Sequence, residues 1–216
     1  MGPKKKQGQR ESVAVRSALI FAAVALLAMR AWPQSRRAPA PTSQGEIILR
    51  LDPAQSQLRW TLGSTLHTVH GTFALKPGLV SFDPANGNAS GEIAADAASG
   101  ESGNESRDKK MHNEILESRR YPQVIFRCDR IEGKVLAQGS SSVQVHGIFV
   151  LHGAEHELTV PVQAELAGDY WKGSAKFSVP YIQWGLKSPN TFLLKADPVV
   201  EIELEMSGKL QMAAAP

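Results

Sequence analysis

Apolar and polar residues alternate with a period of two along most of this chain, as strands with one buried face require. The last run is the clearest. Val200, Ile202, Leu204 and Met206 fall on one face, and Glu201, Glu203 and Glu205 on the other. Leu58, Trp60 and Leu62 alternate in the same way with Gln57, Arg59 and Thr61. Val143, Val145, Gly147, Phe149 and Leu151 share one face of a run over 142–151. The same reading predicts strands at 47–51, 68–75, 79–82, 89–97, 123–131, 157–166, 170–179 and 199–206. Residues 83–88 (DPANGN) and 152–155 (HGAE) carry turn chemistry.

One segment breaks the period. Residues 102–120 read as a short amphipathic helix, followed by Tyr121-Pro122 and a β-branched and aromatic strand. Ser102 and Glu105 have the spacing of a capping box. Pro122 disfavours helix at Tyr121 and ends it. Met111, Ile115 and Leu116 form an apolar stripe too narrow for a core helix. A lone helix among strands suggests a cover over a barrel, with an apolar cavity beneath it.

Eight or more antiparallel strands with one wet face make a closed barrel or a sandwich. A barrel of about eight strands leaves room for side chains or one small ligand. Gly71, Gly147 and Gly173 interrupt strand patterns and are expected at the bends that closure needs. Cys128 is the only cysteine, so no internal disulfide holds the fold, and it is expected to be buried and inert.

Charge divides the chain. Residues 1–45 hold eight Lys or Arg and one acid, whereas residues 46–216 hold 16 basic and 20 acidic side chains. The expected folded part is mildly acidic, which argues against nucleic-acid binding. Residues 1–31 read as a signal peptide or an N-terminal membrane anchor. Lys4, Lys5, Lys6, Arg10 and Arg16 precede 13 uncharged, mostly apolar residues at 17–29, short for a bilayer span. Residues 32–45, rich in Pro, Ala, Ser and Gln, read as a linker. The folded domain is expected over 46–210, with a tail at 211–216.

The catalytic inventory is thin. No G-x-S-x-G elbow, phosphate-binding loop or dinucleotide glycine pattern occurs. The six histidines (67, 70, 112, 146, 152 and 156) lack the tight Cys or carboxylate spacing of a metal centre. No metal, catalytic residue or cofactor is assigned. The aromatic segment 181–186 (YIQWGL) either fills the core or lines a pocket mouth.

Several short motifs resemble the YceI-like, polyisoprenoid-binding family. They are Leu51-Asp52-Pro53-Ala54-Gln55-Ser56, Val69-His70-Gly71-Thr72-Phe73, Ser81-Phe82-Asp83-Pro84 and Val145-His146-Gly147 through Gly153. The most distinctive block is Arg107-Asp108, then Met111, Leu116, Tyr121-Pro122 and Phe126. The resemblance spans about Leu51 to Leu210. Two segments depart from the family pattern: Ser99-Gly100-Glu101-Ser102, with Gly at a hydrophobic position, and Tyr181-Ile182-Gln183-Trp184-Gly185, where members often carry Arg-Ser-Asp-Phe-Gly.

The resemblance implies a lipocalin-like antiparallel β-barrel whose pore holds an isoprenoid or other apolar lipid, such as an isoprenoid quinone or polyprenyl lipid. The expected role is a non-catalytic carrier or sequestering protein, exported to the periplasm or cell envelope, with an inner-membrane tether through the N-terminal segment as the alternative to cleavage. A homodimer stays open. Trp60, Phe73, Met111, Ile115, Phe126, Phe149 and Trp184 are the expected ligand contacts. Two rival readings remain: a lipid-modifying enzyme using His70 or His112, and a cell-envelope interaction module with a filled core.

Overall fold

The computed structural model describes residues 45–213. The expected leader at 1–31 and nearly all of the expected linker lie outside them. The described chain forms β1 (Ile47–Leu51), β2 (Gln57–Leu62), β3 (Val69–Phe73), β4 (Leu79–Phe82) and β5 (Ala89–Asp96). A short helix, α1 (Glu105–Lys110), comes next and runs into a π-helical turn, Met111–Ile115. Then come β6 (Gln123–Glu132), β7 (Gly139–Leu151), β8 (Ala154–Ala167), β9 (Tyr170–Val179) and β10 (Val200–Met212).

Pairing is antiparallel throughout, in the order β1-β4-β5-β6-β7-β8-β9-β10, and β1 also pairs β10, which closes the ring. One edge of β10 serves two partners. Residues 201–205 pair with β2, and residues 208–212 pair with β1. Past β3, Leu75 bridges Ala95, and the Lys76 amide donates to the Ala94 carbonyl. β2 and β3 therefore complete the wall at one end, and β1 and β4 complete it at the other. The fold is a closed antiparallel barrel, eight strands around, with one short helix.

The alternation read from β10 is realised. Val200, Ile202, Leu204 and Met206 face the interior. Outside, Glu203 meets Lys176 at 2.6 Å, Glu201 accepts from Ser178 at 2.6 Å, and Glu205 meets Arg59 at 3.2 Å. These pairs are exposed, so they fix neighbours across the ladder more than they stabilise it.

Some strands exceed their sequence pattern. β7 begins at Gly139, because Ser140, Ser141 and Ser142 find ladder partners in β8 despite having no apolar rhythm. β10 runs to Met212, so Gln211 and Met212, read as the start of a tail, pair with Ile48 and Ile47. β8 starts at Ala154 rather than 157. His152 (φ 52°) and Gly153 (φ 79°) make a two-residue turn with both φ positive, so pairing resumes at once with Leu151 opposite Ala154.

Gly71 corrects the expectation of a bend. A Cβ there would collide with the Trp60 ring and the Glu101 carbonyl oxygen, so glycine is set by close approach. The register shift between Cys128 and Arg130 marks a bulge in β6, where added bend helps the barrel close.

Buried side chains form two clusters. One lies around Leu51, Phe82, Ile131, Leu166 and Trp171, and the other around Phe149, Leu151, Val179, Tyr181 and Leu186. No large side chain is fully buried among the described residues, as expected for walls facing a cavity rather than a packed centre.

Candidate functional site: an apolar pore with a polar rim

The inward faces of the strands enclose a cavity of about 600 Å³. That volume lies within the roughly 300–1,000 Å³ of small-molecule sites. The walls are apolar for most of their length. Trp171, Leu166 and Val143 line the end near the β8–β9 turn, and the Trp171 indole donates to the Arg50 carbonyl at 3.2 Å. The polar lining gathers at the other end: Ser64 and His67 from the β2–β3 loop, Asn104, Ser106, Arg107 and Lys110 from α1 and its cap, and Thr191 from the β9–β10 loop. No Asp or Glu lines the cavity among the described residues.

Six of the seven expected contact residues line this one cavity: Trp60, Phe73, Met111, Ile115, Phe126 and Phe149. Their alternation on β2, β3, β6 and β7 is what turns them inward. Trp184 is the correction. Its ring stacks on His156 with centroids 4.1 Å apart and planes 5° apart, and lies 5.5 Å from Phe149. The cause is local backbone. After Pro180 the chain coils, with the Trp184 amide donating to the Pro180 carbonyl and Gly185 at φ 92°. This coil sets Tyr181 and Leu186 against the cavity, while Trp184 packs on the cluster around them without lining the pore.

The helix lies over the polar end. Its N-cap is Asn104, whose side chain accepts from the Arg107 amide at 3.0 Å. The capping box expected at Ser102 and Glu105 does not form. Ser102 lies two residues outside the cap, donating to Asp108 and accepting from Arg107 at 2.7 Å. The Lys110 ammonium donates to the Pro189 carbonyl at 3.1 Å and clasps α1 to the β9–β10 loop. In the π turn the Leu116 amide donates to the Met111 carbonyl. Through that wider turn Met111, Ile115 and Leu116, the stripe read from the sequence, all reach the cavity.

Titratable groups at the pore are few. His70 is exposed and bonds Thr61 at 3.0 Å, and it does not line the cavity. His112 bonds the Gly100 carbonyl at 2.8 Å and Ser118 at 3.2 Å through its two ring nitrogens, and also stands outside the lining. Burial pushes the Cys128 thiol up to about 11, with its sulfur 3.6 Å from the Gly91 carbonyl. Burial likewise raises the Tyr181 phenol, whose hydroxyl donates to the Asp197 carbonyl at 2.9 Å. No cluster of three His, Cys, Asp or Glu gathers among the described residues.

Three buried ring nitrogens, Trp60 Nε1, His152 Nε2 and His156 Nε2, have no hydrogen-bond partner among the described residues, and of these side chains Trp60 alone lines the cavity. Trp60 is 7% exposed, and its indole Nε1 finds no acceptor among the described residues. A buried donor without an acceptor is costly. Sequence reasoning missed Trp171 and the polar rim, and left Tyr181 and Leu186 between core and pocket mouth. The alternation of β9 could have found Trp171. Nothing local announces the rim, which is assembled from two loops and the capped end of α1.

Comparison with known proteins agrees with this architecture. A YceI-like domain profile matches residues 49–208. Among solved structures, BcnA of Burkholderia cenocepacia is 19% identical, covering 73% of this chain and 99% of its own, with a TM-score of 0.61. A polyisoprenoid binding domain from Saccharophagus degradans, implicated in plant cell wall breakdown, is 13% identical, covering 75% and 98%, at 0.57. A YceI protein of Campylobacter jejuni is 16% identical, covering 67% and 86%, at 0.51. At these identities the likeness is one of fold. No curated protein matches the chain. The profile covers most of the barrel, from β1 into β10, and on that ground the chain belongs to the YceI-like family.

Proposed function

We propose that this protein binds a long apolar lipid of the polyisoprenoid class, holding it in the pore as a carrier or sequestering protein without catalysis. One observation carries the reading: a continuous apolar cavity whose polar lining sits at one end only. An apolar chain would lie along the wall, and its polar head would meet Ser64, His67, Ser106, Arg107 and Lys110. Burial of the chain is favourable at about 25 cal/mol per Å² of apolar surface. The similarity to a polyisoprenoid binding domain supports this ligand class. The enzyme reading loses support because neither His70 nor His112 lines the cavity. The basic and apolar start of the chain supports export to the periplasm or cell envelope, with cleavage or tethering as its two outcomes.

Native mass spectrometry tests the reading. An added mass of several hundred daltons, removed by organic solvent, is expected on the purified protein. Phe126→Arg places a charge in the pore, where an unpaired ion is costly. A folded Phe126→Arg protein should lose that mass. If it keeps the same lipid load, or if the parent protein carries none when offered polyprenyl lipids, the proposal fails.

A further inference from the structure

Three large apolar side chains stand in water beside the polar end of the pore: Phe192 is 97% exposed, Leu193 75% and Leu66 66%. Their exposure is built by two turns. The Thr191 amide donates to the Leu194 carbonyl, and the Leu194 amide to Thr191 Oγ1, which leaves Phe192 and Leu193 at the tip. Ser64 Oγ donates to the His67 carbonyl, which leaves Thr65 and Leu66 at a second tip. The turns are joined, because the Thr65 amide donates to the Lys195 carbonyl and the Lys195 amide to Thr65 Oγ1. Both also line the cavity, through Leu194, Thr191, Ser64 and His67. The projecting residues therefore form one edge continuous with the pore mouth. Apolar patches that stay in water mark interaction or membrane surfaces.

Charge indicates which surface. The segments 63–68, 104–110 and 187–197 hold five Lys or Arg and three carboxylates, whereas residues 46–216 hold 16 and 20. Of the carboxylates, Glu105 pairs with Lys109, and Asp108 accepts from Ser102. The third is Asp197, beside Gly63. Lys187, Lys195, Lys110 and Arg107 have no carboxylate within ion-pair distance among the described residues. Exposed aromatic and aliphatic tips flanked by cations suit a bilayer that contains anionic lipid: the tips enter the acyl boundary, and the cations meet the phosphates.

We infer that Leu66, Phe192 and Leu193, with Lys187 and Lys195, form a membrane-docking edge that sets the pore mouth against an anionic bilayer. The edge gives an apolar cargo a route between membrane and pore that avoids water. That purpose rests on the lipid-binding reading, but docking itself is measurable without cargo.

The test uses the full chain with Phe192→Cys, labelled with an environment-sensitive fluorophore. The native Cys128 is buried with a raised pKa, so the introduced thiol takes the label. Leu136→Cys, on the β6–β7 loop at the far end of the barrel, is the control. Both are titrated with phosphatidylcholine vesicles, alone or mixed with phosphatidylglycerol. A blue shift at position 192, absent at 136 and dependent on phosphatidylglycerol, is expected. Lys187→Gln with Lys195→Gln should lower the docked-to-undocked ratio roughly 30-fold, from about 1 kcal/mol per cation. A shift at neither site, or an equal shift at both, overturns the inference. A shift that grows with protein concentration without vesicles assigns the patch to a second copy of the chain and also overturns it. If position 192 stays in water while the native protein still carries lipid, docking is wrong and the carrier reading stands. If 192 docks on a protein that carries no lipid, the reverse holds.

Discussion

Replacing Ile115 with aspartate separates a cover from a brace. Ile115 ends the π turn, lines the cavity and packs on the cluster around Phe149 and Leu186. Full burial of such a side chain is worth about 1.5–3 kcal/mol, and Ile115 is half-buried, so about 0.8–1.5 kcal/mol is at stake. A carboxylate there also resists desolvation, so the closed position loses at least that much. The turn can relieve the cost by swinging outward. Its ties to the barrel are few, chiefly His112 to the Gly100 carbonyl and Lys110 to the Pro189 carbonyl. The eight-strand ring does not depend on them. The expected result of Ile115→Asp is therefore lipid release about tenfold faster, with only a small fall in the urea midpoint. Release is measured by transfer of bound lipid to acceptor vesicles, and stability by urea unfolding of the lipid-free protein. An unchanged release rate together with a large fall in midpoint would refute the cover and make the helix a structural brace.

Other outcomes follow from single contacts. Gly71→Ala should destabilise by about 1–3 kcal/mol in urea unfolding, because its Cβ meets the Trp60 ring and the Glu101 backbone; an unchanged midpoint would contradict that contact. Trp60→Phe removes the buried unpartnered indole donor and keeps an aromatic ring, so the urea midpoint should fall little, the relieved donor offsetting the lost ring contact. A large fall would refute the unpartnered donor. His146 faces Asp129 at 2.7 Å and Glu157 at 3.0 Å, one on each ring nitrogen, so both nitrogens donate when the ring is charged. The hydrogen bond to Asp129 is the main cause holding its pKa above the usual histidine value. The stability it adds is present in full below the unfolded histidine pKa and is lost as pH rises through the higher folded one. His146→Gln should accordingly reduce stability at acidic pH and leave it unchanged at alkaline pH, and an NMR titration that places the ring below the free histidine value would refute this.

The period-two pattern determined much of this protein. Alternation at Leu58, Trp60 and Leu62, or at Val200, Ile202, Leu204 and Met206, depends only on successive side chains pointing to opposite faces of a strand. It therefore identified the strands, their inward residues and an apolar interior before any contact was known. The single helix was legible because its segment broke that period, with Met111, Ile115 and Leu116 at helical spacing. Features that depend on partners distant in the chain were not. The start of β7 and the end of β10 are strands because β8 and β1 lie beside them, not because Ser140 or Lys209 prefer it. Asn104 rather than Ser102 caps the helix because Ser102 is engaged by Arg107 and Asp108. Trp184 left the pore because the coil after Pro180 sets its direction, and no alternation rule applies in a coil. The polar rim and the exposed tips at Leu66, Phe192 and Leu193 come from loops more than a hundred residues apart, joined by the Thr65–Lys195 hydrogen bonds. Strand periodicity is local and survives in sequence, whereas the mouth of a barrel exists only once the ring has closed.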